Sequence, residues 1–381
     1  MTTKCDNAMP GVASLFHHIH FKILQREEEE NTFTRESAHA MAFTLKSDLI
    51  ISLVLILGAW AWHATSVRPL HDPTIAEQHE QWMANYSRTY NDLQEKAKRQ
   101  AIFAKNLQFI EDFNKSGNRT FQLGLNQFSD LTNEEFVRSH TGYLAPKQSK
   151  PANITSFSHQ KLTGDVPDNI DWVEKGVVNA IKYQGKCGSC WAFSVVAAVE
   201  GIVGITKGTL PVLSEQQLID CDTTNYGCRG GYPDNSFDYI VQNQGIASED
   251  SYPYEGVAGT CDATKAAEHA AQIEGFTDVP SGEDELMKAV AQQPVSVIIS
   301  AGCQEFQSYS GGVFNSECGQ QLDHAVVVVG YGTSEEGTDF WKIRNSWGEQ
   351  WGERGYMRIQ RGRGSSEGIC RVASKASYPT A

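Results

Sequence analysis

The sequence predicts an α+β protein in two halves, because helix-patterned stretches gather before residue 245 and β-branched runs gather after residue 295. Length supports the division. At 381 residues and 40% hydrophobic content, the chain can bury a large core but exceeds one compact domain of ordinary size. In the first half, Trp191, Phe193, Val195, Val196, Val199, Ile202 and Val203 define one broad helical face that Gly208 ends. Ser214-Glu-Gln-Gln217 reads as a capping box opening a second helix, and residues 234 to 245 as a third helix closed by glycine. In the second half, Val295–Ile299, Ala325–Val329, Phe340–Arg344 and Tyr356–Gln360 have strand composition.

Chemistry concentrates at Cys190, which opens the first helix in the run Gln184-Gly-Lys-Cys187-Gly-Ser-Cys190-Trp191. A helix N-terminus favours negative charge, so this position is expected to lower the thiol pKa from about 8.5 and supply a thiolate. A nucleophilic cysteine needs a base, and the base an orienting partner. After residue 166 the histidines are His269, in a polar stretch expected at the surface, and His324, which opens the strand-like run Leu322-Asp-His-Ala-Val-Val-Val-Val-Gly330. Asn345, after another strand-like run, could accept a hydrogen bond from the second ring nitrogen, with Trp347 shielding it from water. Two other readings stand beside this one: Cys187 and Cys190 as a redox dithiol or half of a zinc site, and His324 as an ordinary core histidine.

The segment from Val166 to Ala381 resembles the papain-like cysteine proteases, whose C-G-[SA]-C-[WY] signature is followed by His and Asn about 130 to 150 residues on. The resemblance implies a papain-like two-domain fold, a helical half and a barrel-like half, with substrate in the groove between them. It implies Cys190 as nucleophile, His324 as base and acid, Asn345 as imidazole orienter and Gln184 as oxyanion donor with the Cys190 backbone N–H. It implies disulfides Cys187 to Cys228, Cys221 to Cys261 and Cys318 to Cys370, leaving Cys190 free. Cys303 is left over, read as a buried unreactive thiol rather than an intermolecular bridge. Gly230 and Gly231 would let a peptide backbone approach, with Gly231 pairing to it. Tyr232, Pro233, Ile298, Leu322 and Ala325 would line the pocket for the side chain two positions before the cut, with Asp323 and Trp347 adjoining and Lys375 near its end. Ile298 is expected to narrow the pocket toward Val or Leu. The Lys375 charge is expected to disfavour Arg there, unless the ammonium reaches solvent instead.

Upstream, Glu95, Arg99, Phe103, Asn106, Ile110 and Asn114 match the family's pro-segment helix pattern, and Gly124, Asn126, Phe128 and Asp130 its second motif, read as an extended strand. A short helix is expected from Asp130 onward, then an exposed linker over residues 146 to 165. Residues 67 to 165 are thus expected to be an inhibitory propeptide and residues 166 to 381 the peptidase domain. The apolar run from Leu49 to Trp62, preceded by Lys46, fits a signal peptide over residues 41 to 66, with a type II membrane anchor as the competing reading. Residues 1 to 40 fit no targeting pattern and read as a start-site artefact or alternative leader. Four sequons, at Asn85, Asn114, Asn118 and Asn153, precede the expected mature N-terminus. Asn114 also belongs to the helix motif and is a doubtful acceptor.

Nearly all of the net charge of −14 falls after residue 166, and eight of nine cysteines follow residue 180. An acidic surface argues against nucleic acid and anionic membrane as partners. Cysteine usage suits the secretory pathway, with a vacuole, lysosome or the extracellular space as destination. The expected partners are protein and peptide substrates, the chain's own propeptide and cystatin-type inhibitors. The mature protein is expected to be a monomer, with no cofactor and no metal. The competing functions are a thiol-disulfide oxidoreductase and a catalytically silent binding protein on the same fold.

Overall fold

The computed structural model describes residues 73–117, 119–144 and 166–381. The N-terminal extension, the apolar run at 49–62, the linker at 146–165 and the sequons at Asn118 and Asn153 lie outside the described residues.

Helices at Ile75–Asn85, Leu93–Lys115 and Asn133–His140 make up the pro-segment with the strand β1 (Phe121–Leu123). Thr74 and Thr132 open the first and third through complete capping boxes with Glu77 and Glu135, so local sequence alone sets those starts. Arg99 ties the long helix to the short one, bonding Glu95 at 2.6 Å, Glu135 at 2.7 Å and the Asp130 carbonyl at 3.0 Å. Residues 126–130 form turns, not the extended strand that alternation suggested. The Asn126 side chain explains this: its oxygen accepts from Phe128 N at 2.9 Å and its amide donates to the Gln307 carbonyl at 2.7 Å, folding the backbone back on itself. Asn114 is fully engaged with Leu123, donating to its carbonyl and accepting from its N–H.

The remaining strands are β2 (Ile170–Asp171), β3 (Ile246–Ala247), β4 (His269–Ala271), β5 (Gly275–Val279), β6 (Val295–Ile299), β7 (Tyr309–Phe314), β8 (His324–Thr333), β9 (Asp339–Arg344), β10 (Tyr356–Gln360) and β11 (Lys375–Thr380), of which β3 and β4 pair apart from the rest. Among the described residues, nine of the eleven strands form one sheet in the order β1-β7-β10-β9-β8-β6-β11-β5, with β2 also on β8. All pairings are antiparallel except β7 with β10. The pro-segment therefore contributes an edge strand, β1, to the sheet of the enzyme. Gly312 permits the close approach: it sits at φ +91°, and a Cβ there would lie 2.6 Å from the Phe121 Cα.

The helix Cys190–Lys207 is buried almost all round from Cys190 to Gly204, not on one face. It is wedged between the helices Glu215–Cys221 and Pro233–Gln242 on one side and β6, β8 and β11 on the other, so both halves of the protein need its surface. Gly208 ends it in the left-handed region at φ +70°. The expected capping box at Ser214 is half formed. Ser214 accepts from Gln217 N at 3.0 Å, but the Gln217 side chain turns away to accept from Ala247 N. The third helix stops at Gln242, three residues before Gly245.

Candidate active site

Cys190 is fully buried at the start of its helix, where the helical half meets the sheet. His324 begins β8, whose next residue, Ala325, packs with Cys190, and cross-strand pairing sets its neighbours: His324 opposes Ile299, and Ala325 opposes Ile298. Asn345 follows β9, the next strand of the sheet, and its side-chain oxygen lies 2.8 Å from His324 Nε2. The same oxygen accepts from the Ser346 backbone N–H at 2.8 Å, a group that can only donate. Oxygen, not nitrogen, therefore occupies that position, and Nε2 must carry the ring hydrogen. The lone pair is left on Nδ1, which is buried and has no hydrogen-bond partner. Trp347 stacks on the imidazole with ring centroids 4.5 Å apart and shields the pair from water.

Gln184 is also fully buried. Its carbonyl oxygen accepts from Ser346 Oγ at 2.6 Å, which turns its amide nitrogen toward the groove. That nitrogen donates to the Cys187 carbonyl at 2.8 Å and to the carbonyl of His140, a pro-segment residue, at 3.3 Å. Trp347 Nε1 donates to the same His140 oxygen at 3.0 Å. Two side-chain N–H donors thus converge on one pro-segment carbonyl. Sequence reasoning missed Ser346 and the donor role of Trp347, although both lie in the Asn345-Ser-Trp run that singled out Asn345.

After His140 the chain runs through the groove. Gly142 N and Tyr143 N both donate to the Asp323 carbonyl, Gly231 N donates to the Gly142 carbonyl at 2.9 Å, and Tyr143 pairs with Gly231 in parallel. A Cβ on Gly230 would lie 2.6 Å from the Gly142 oxygen, so that glycine admits the pro-segment. Gly231 is required for another reason: a Cβ there would strike Trp191 and Asn225 beneath it. Tyr143 fills a pocket with Cys190, Ile298 and Ala325, flanked by Tyr232 and Leu322. Pro233 is buried at the first position of its helix beside them. A phenol ring occupies the space, so Ile298 does not restrict it to side chains the size of Val or Leu. Lys375 is about a third exposed and pairs with Asp234 at 3.2 Å, so its charge is neither free in solvent nor unpartnered in the pocket.

Charge in the covered site differs from the sequence expectation. Burial pushes the Cys190 thiol up to about 12, against hydrogen bonds from the backbone of Ala325, Trp191 and Gly142 that favour the thiolate. The helix N-terminus does not prevail here, because excluding water penalises the charged form more than nearby dipoles stabilise it. Burial likewise holds His324 down at about 4, although its bond to Asn345 favours the charged ring. Under the pro-segment the pair is a neutral thiol beside a neutral imidazole. Burial also pushes the Asp323 carboxyl up to about 6, against a hydrogen bond from Ala301 N.

Disulfides join Cys187 to Cys228, Cys221 to Cys261 and Cys318 to Cys370. Cys187 is thus unavailable as the redox partner of Cys190. Among the described residues Cys190 and Cys303 are free. Cys303 is half-buried against the core, and burial pushes its thiol to about 12. Among the described residues no cluster of three or more His, Cys, Asp or Glu side chains could hold a metal ion. His269 is exposed on β4, away from this chemistry.

This arrangement is that of a thiol peptidase closed by its own pro-segment. The family model for papain family cysteine protease matches residues 166–380, and that for the cathepsin propeptide inhibitor domain matches residues 79–136. The chain is 46% identical to a senescence-specific cysteine protease of Arabidopsis thaliana, over 88% of this chain and 99% of that one. A senescence-specific cysteine protease of Oryza sativa is 45% identical over 81% of this chain and 91% of its own. Among solved structures, a recombinant stem bromelain precursor superimposes with TM-score 0.75 at 42% identity, covering 80% of this chain and 98% of that one. The proform of a ragweed pollen allergen cysteine protease gives TM-score 0.73 at 38% identity, covering 80% and 94%. The chain belongs to the papain family of cysteine proteases. It is a cysteine endopeptidase made as a zymogen, with an inhibitory propeptide ahead of an α+β peptidase domain of papain-like fold.

Proposed function

We propose that Cys190 is the nucleophile, His324 the proton carrier, Asn345 its orienter and Gln184 the oxyanion donor. The observation that carries these roles is the His324 tautomer: with Nε2–H held by Asn345, the only proton acceptor left on the ring is Nδ1. Once the pro-segment leaves, water returns to the groove and the cost of charging either group falls. The Cys190 proton then passes to Nδ1, and the thiolate, at the helix N-terminus, attacks the carbonyl carbon of the bound peptide. Gln184 Nε2 and the Cys190 N–H take the negative oxygen. His324 Nδ1 gives its proton to the leaving amine, then accepts one from water as that water attacks the thioester and releases the thiol.

The mode of pro-segment binding supports an inhibitor that is not cut. Gly142 N donates to the Asp323 carbonyl, and Tyr143 pairs with Gly231 in parallel, so the segment is held in the groove by its own backbone pairing. The processing boundary lies between residues 144 and 166, and the mature enzyme travels the secretory route, a reading that its three disulfides support. Protein and peptide substrates and cystatin-type inhibitors would use the same groove. The test is alkylation by a peptidyl epoxide followed by peptide mapping. Acid-processed protein should be labelled at Cys190 with loss of peptide hydrolysis, and the neutral precursor should not. Labelling elsewhere with full loss of activity would refute the assignment, and labelling at Cys190 without hydrolysis would favour the silent binding protein.

A further inference from the structure

The proposed oxyanion donors, the Gln184 side chain and the Cys190 N–H, stand at the two ends of one loop. Gly185 takes the chain out of Gln184 at φ +65°, and Ser189 returns it to the peptide unit that carries the Cys190 N–H. The spacing of the donors matters, because such a site works only when its N–H groups are already aimed where charge develops. The Ser189 hydroxyl makes no cap bond to the helix it opens. It is taken instead by Tyr254. Tyr254 Oη donates its one hydrogen to the Gln184 carbonyl at 2.7 Å, a group that can only accept. Its oxygen therefore accepts from Ser189 Oγ at 3.0 Å, a shorter contact than the 3.4 Å from Ser189 Oγ to the Cys187 carbonyl. One phenol oxygen thus clasps both ends of the loop.

The clasp is itself fixed. The Tyr254 ring packs edge-on to Phe193, one turn into the Cys190 helix, with centroids 5.0 Å apart. Its backbone N–H donates to Glu249 Oε1 at 2.8 Å, and Glu249 Oε2 pairs at 3.1 Å with Nζ of Lys182, which shortly precedes Gln184. Burial, against the Ser189 hydrogen bond that favours the phenolate, raises the Tyr254 pKa to about 12, so the hydroxyl keeps its proton from acid to neutral pH. We infer that Tyr254 is a positioning residue for the oxyanion site, its hydroxyl holding Gln184 and Ser189 so that both donors meet the same oxygen, a role that rests on the assignment of those donors. Tyr254 reaches the backbone of Gln184 and not its amide, so its effect must travel through the groups it holds. An ångström-scale misplacement costs about 100-fold in rate. Without the hydroxyl, Gln184 N is still held by the Ser346 carbonyl at 2.9 Å, so the loss should be smaller, roughly tenfold. It should fall on kcat, because the negative oxygen is absent from the bound ground state.

The experiment measures kcat and KM on a fluorogenic peptide amide for acid-processed full-length protein carrying Tyr254→Phe, Gln184→Ala or both, with active sites counted by the endpoint of peptidyl-epoxide labelling. In Tyr254→Phe the expected kcat is about tenfold lower with KM within about twofold of wild type. A peptide aldehyde, whose adduct with Cys190 places an oxygen between the donors, should bind about tenfold more weakly. In the Gln184→Ala background the same substitution should cost about threefold or less, because one of the two donors it positions is already gone. Provided Gln184→Ala alone lowers kcat on the order of 100-fold, three results overturn the inference and leave the oxyanion assignment intact: a Tyr254→Phe kcat within about twofold of wild type, a loss confined to KM, or an undiminished loss in the Gln184→Ala background. If Gln184→Ala alone is silent, the assignment fails and the role of Tyr254 with it. Should Tyr254→Phe yield no titratable sites, the same cycle with Glu249→Ala, which frees the Tyr254 N–H, decides in its place by the same criteria.

Discussion

Replacing His140 with phenylalanine should remove much of the acid dependence of pro-segment release. The His140 ring is 2% exposed, lies between Phe128 and Phe136, and shares a 2.7 Å hydrogen bond between Nδ1 and Ser139 Oγ. Burial, with the positive charges of Lys186 and Arg88 beyond it, holds its pKa down to about 4, against the backbone of Phe136, which favours the charged ring. Once the segment is released, the ring should return to about 6.5. The folded pKa is the lower one, so the released state binds more protons, and docking weakens as pH falls from about 6.5 toward 4. At pH 5 this amounts to about 1.5 pH units, on the order of 2 kcal/mol, or a rise of about thirtyfold in the released fraction. Asp323 works the other way. Its carboxyl, raised to about 6, stabilises the covered state at low pH and loses that contribution as pH rises through 6. The difference between wild type and His140→Phe, not the slope of either, therefore isolates the imidazole. The assay is the rate at which a peptidyl epoxide labels Cys190 in the precursor, normalised to the processed enzyme at each pH. The two proteins should match near pH 7.5 and diverge by about thirtyfold at pH 5. Superimposable profiles would refute the argument.

Other expectations follow from the same contacts. Cys190→Ala should abolish peptide hydrolysis and His324→Ala should nearly do so, while Gln184→Ala should cost on the order of 100-fold in kcat; wild-type turnover in Cys190→Ala would sink the mechanism. Gly142→Ala should make the precursor leaky, because a Cβ there collides with the Gly188 carbonyl, a rigid backbone atom. Overpacking of this kind costs about 1 to 3 kcal/mol, so epoxide labelling of the unprocessed protein should rise by between about fivefold and about 150-fold. Arg99→Met should leave Glu135 half-buried without its main partner. Burial raises the Glu135 pKa, but the Arg99 bond, the Thr132 N–H and the charges of Arg99 and Lys98 more than offset this and hold it below the ordinary range. A carboxylate with a depressed folded pKa stabilises above about 4.3 and loses that contribution as pH falls through the folded value. The wild-type precursor should therefore keep this support at neutral pH and lose it as pH falls below about 4.3, whereas Arg99→Met should lower the unfolding temperature at neutral pH.

The sequence by itself determined the fold class and the four central strands, and it singled out the groups proposed to react. Those depend on local chemistry: β-branched runs, a thiol at a helix start, a histidine and an asparagine each at the end of an apolar strand. Cys190, His324 and Asn345 were legible because they sit in short runs whose residue types have few other uses. The tertiary structure alone decided what those groups do while the precursor is intact. A helix N-terminus argues for a thiolate, yet the thiol is held neutral, because desolvation depends on what covers the site, and the cover comes from residues 140 to 144. Likewise nothing in the Asn126 motif shows that its amide would reach the Gln307 carbonyl, far along the chain, while its oxygen closes a turn on Phe128 N. The pocket shows the same division. Ile298 and Lys375 could be placed there from sequence, but only the register of β6, β8 and β11 sets them in one row, and only Asp234 keeps the lysine in it. Composition and pattern record what each residue prefers, whereas burial, pairing and charge state depend on neighbours that the fold brings from elsewhere in the chain.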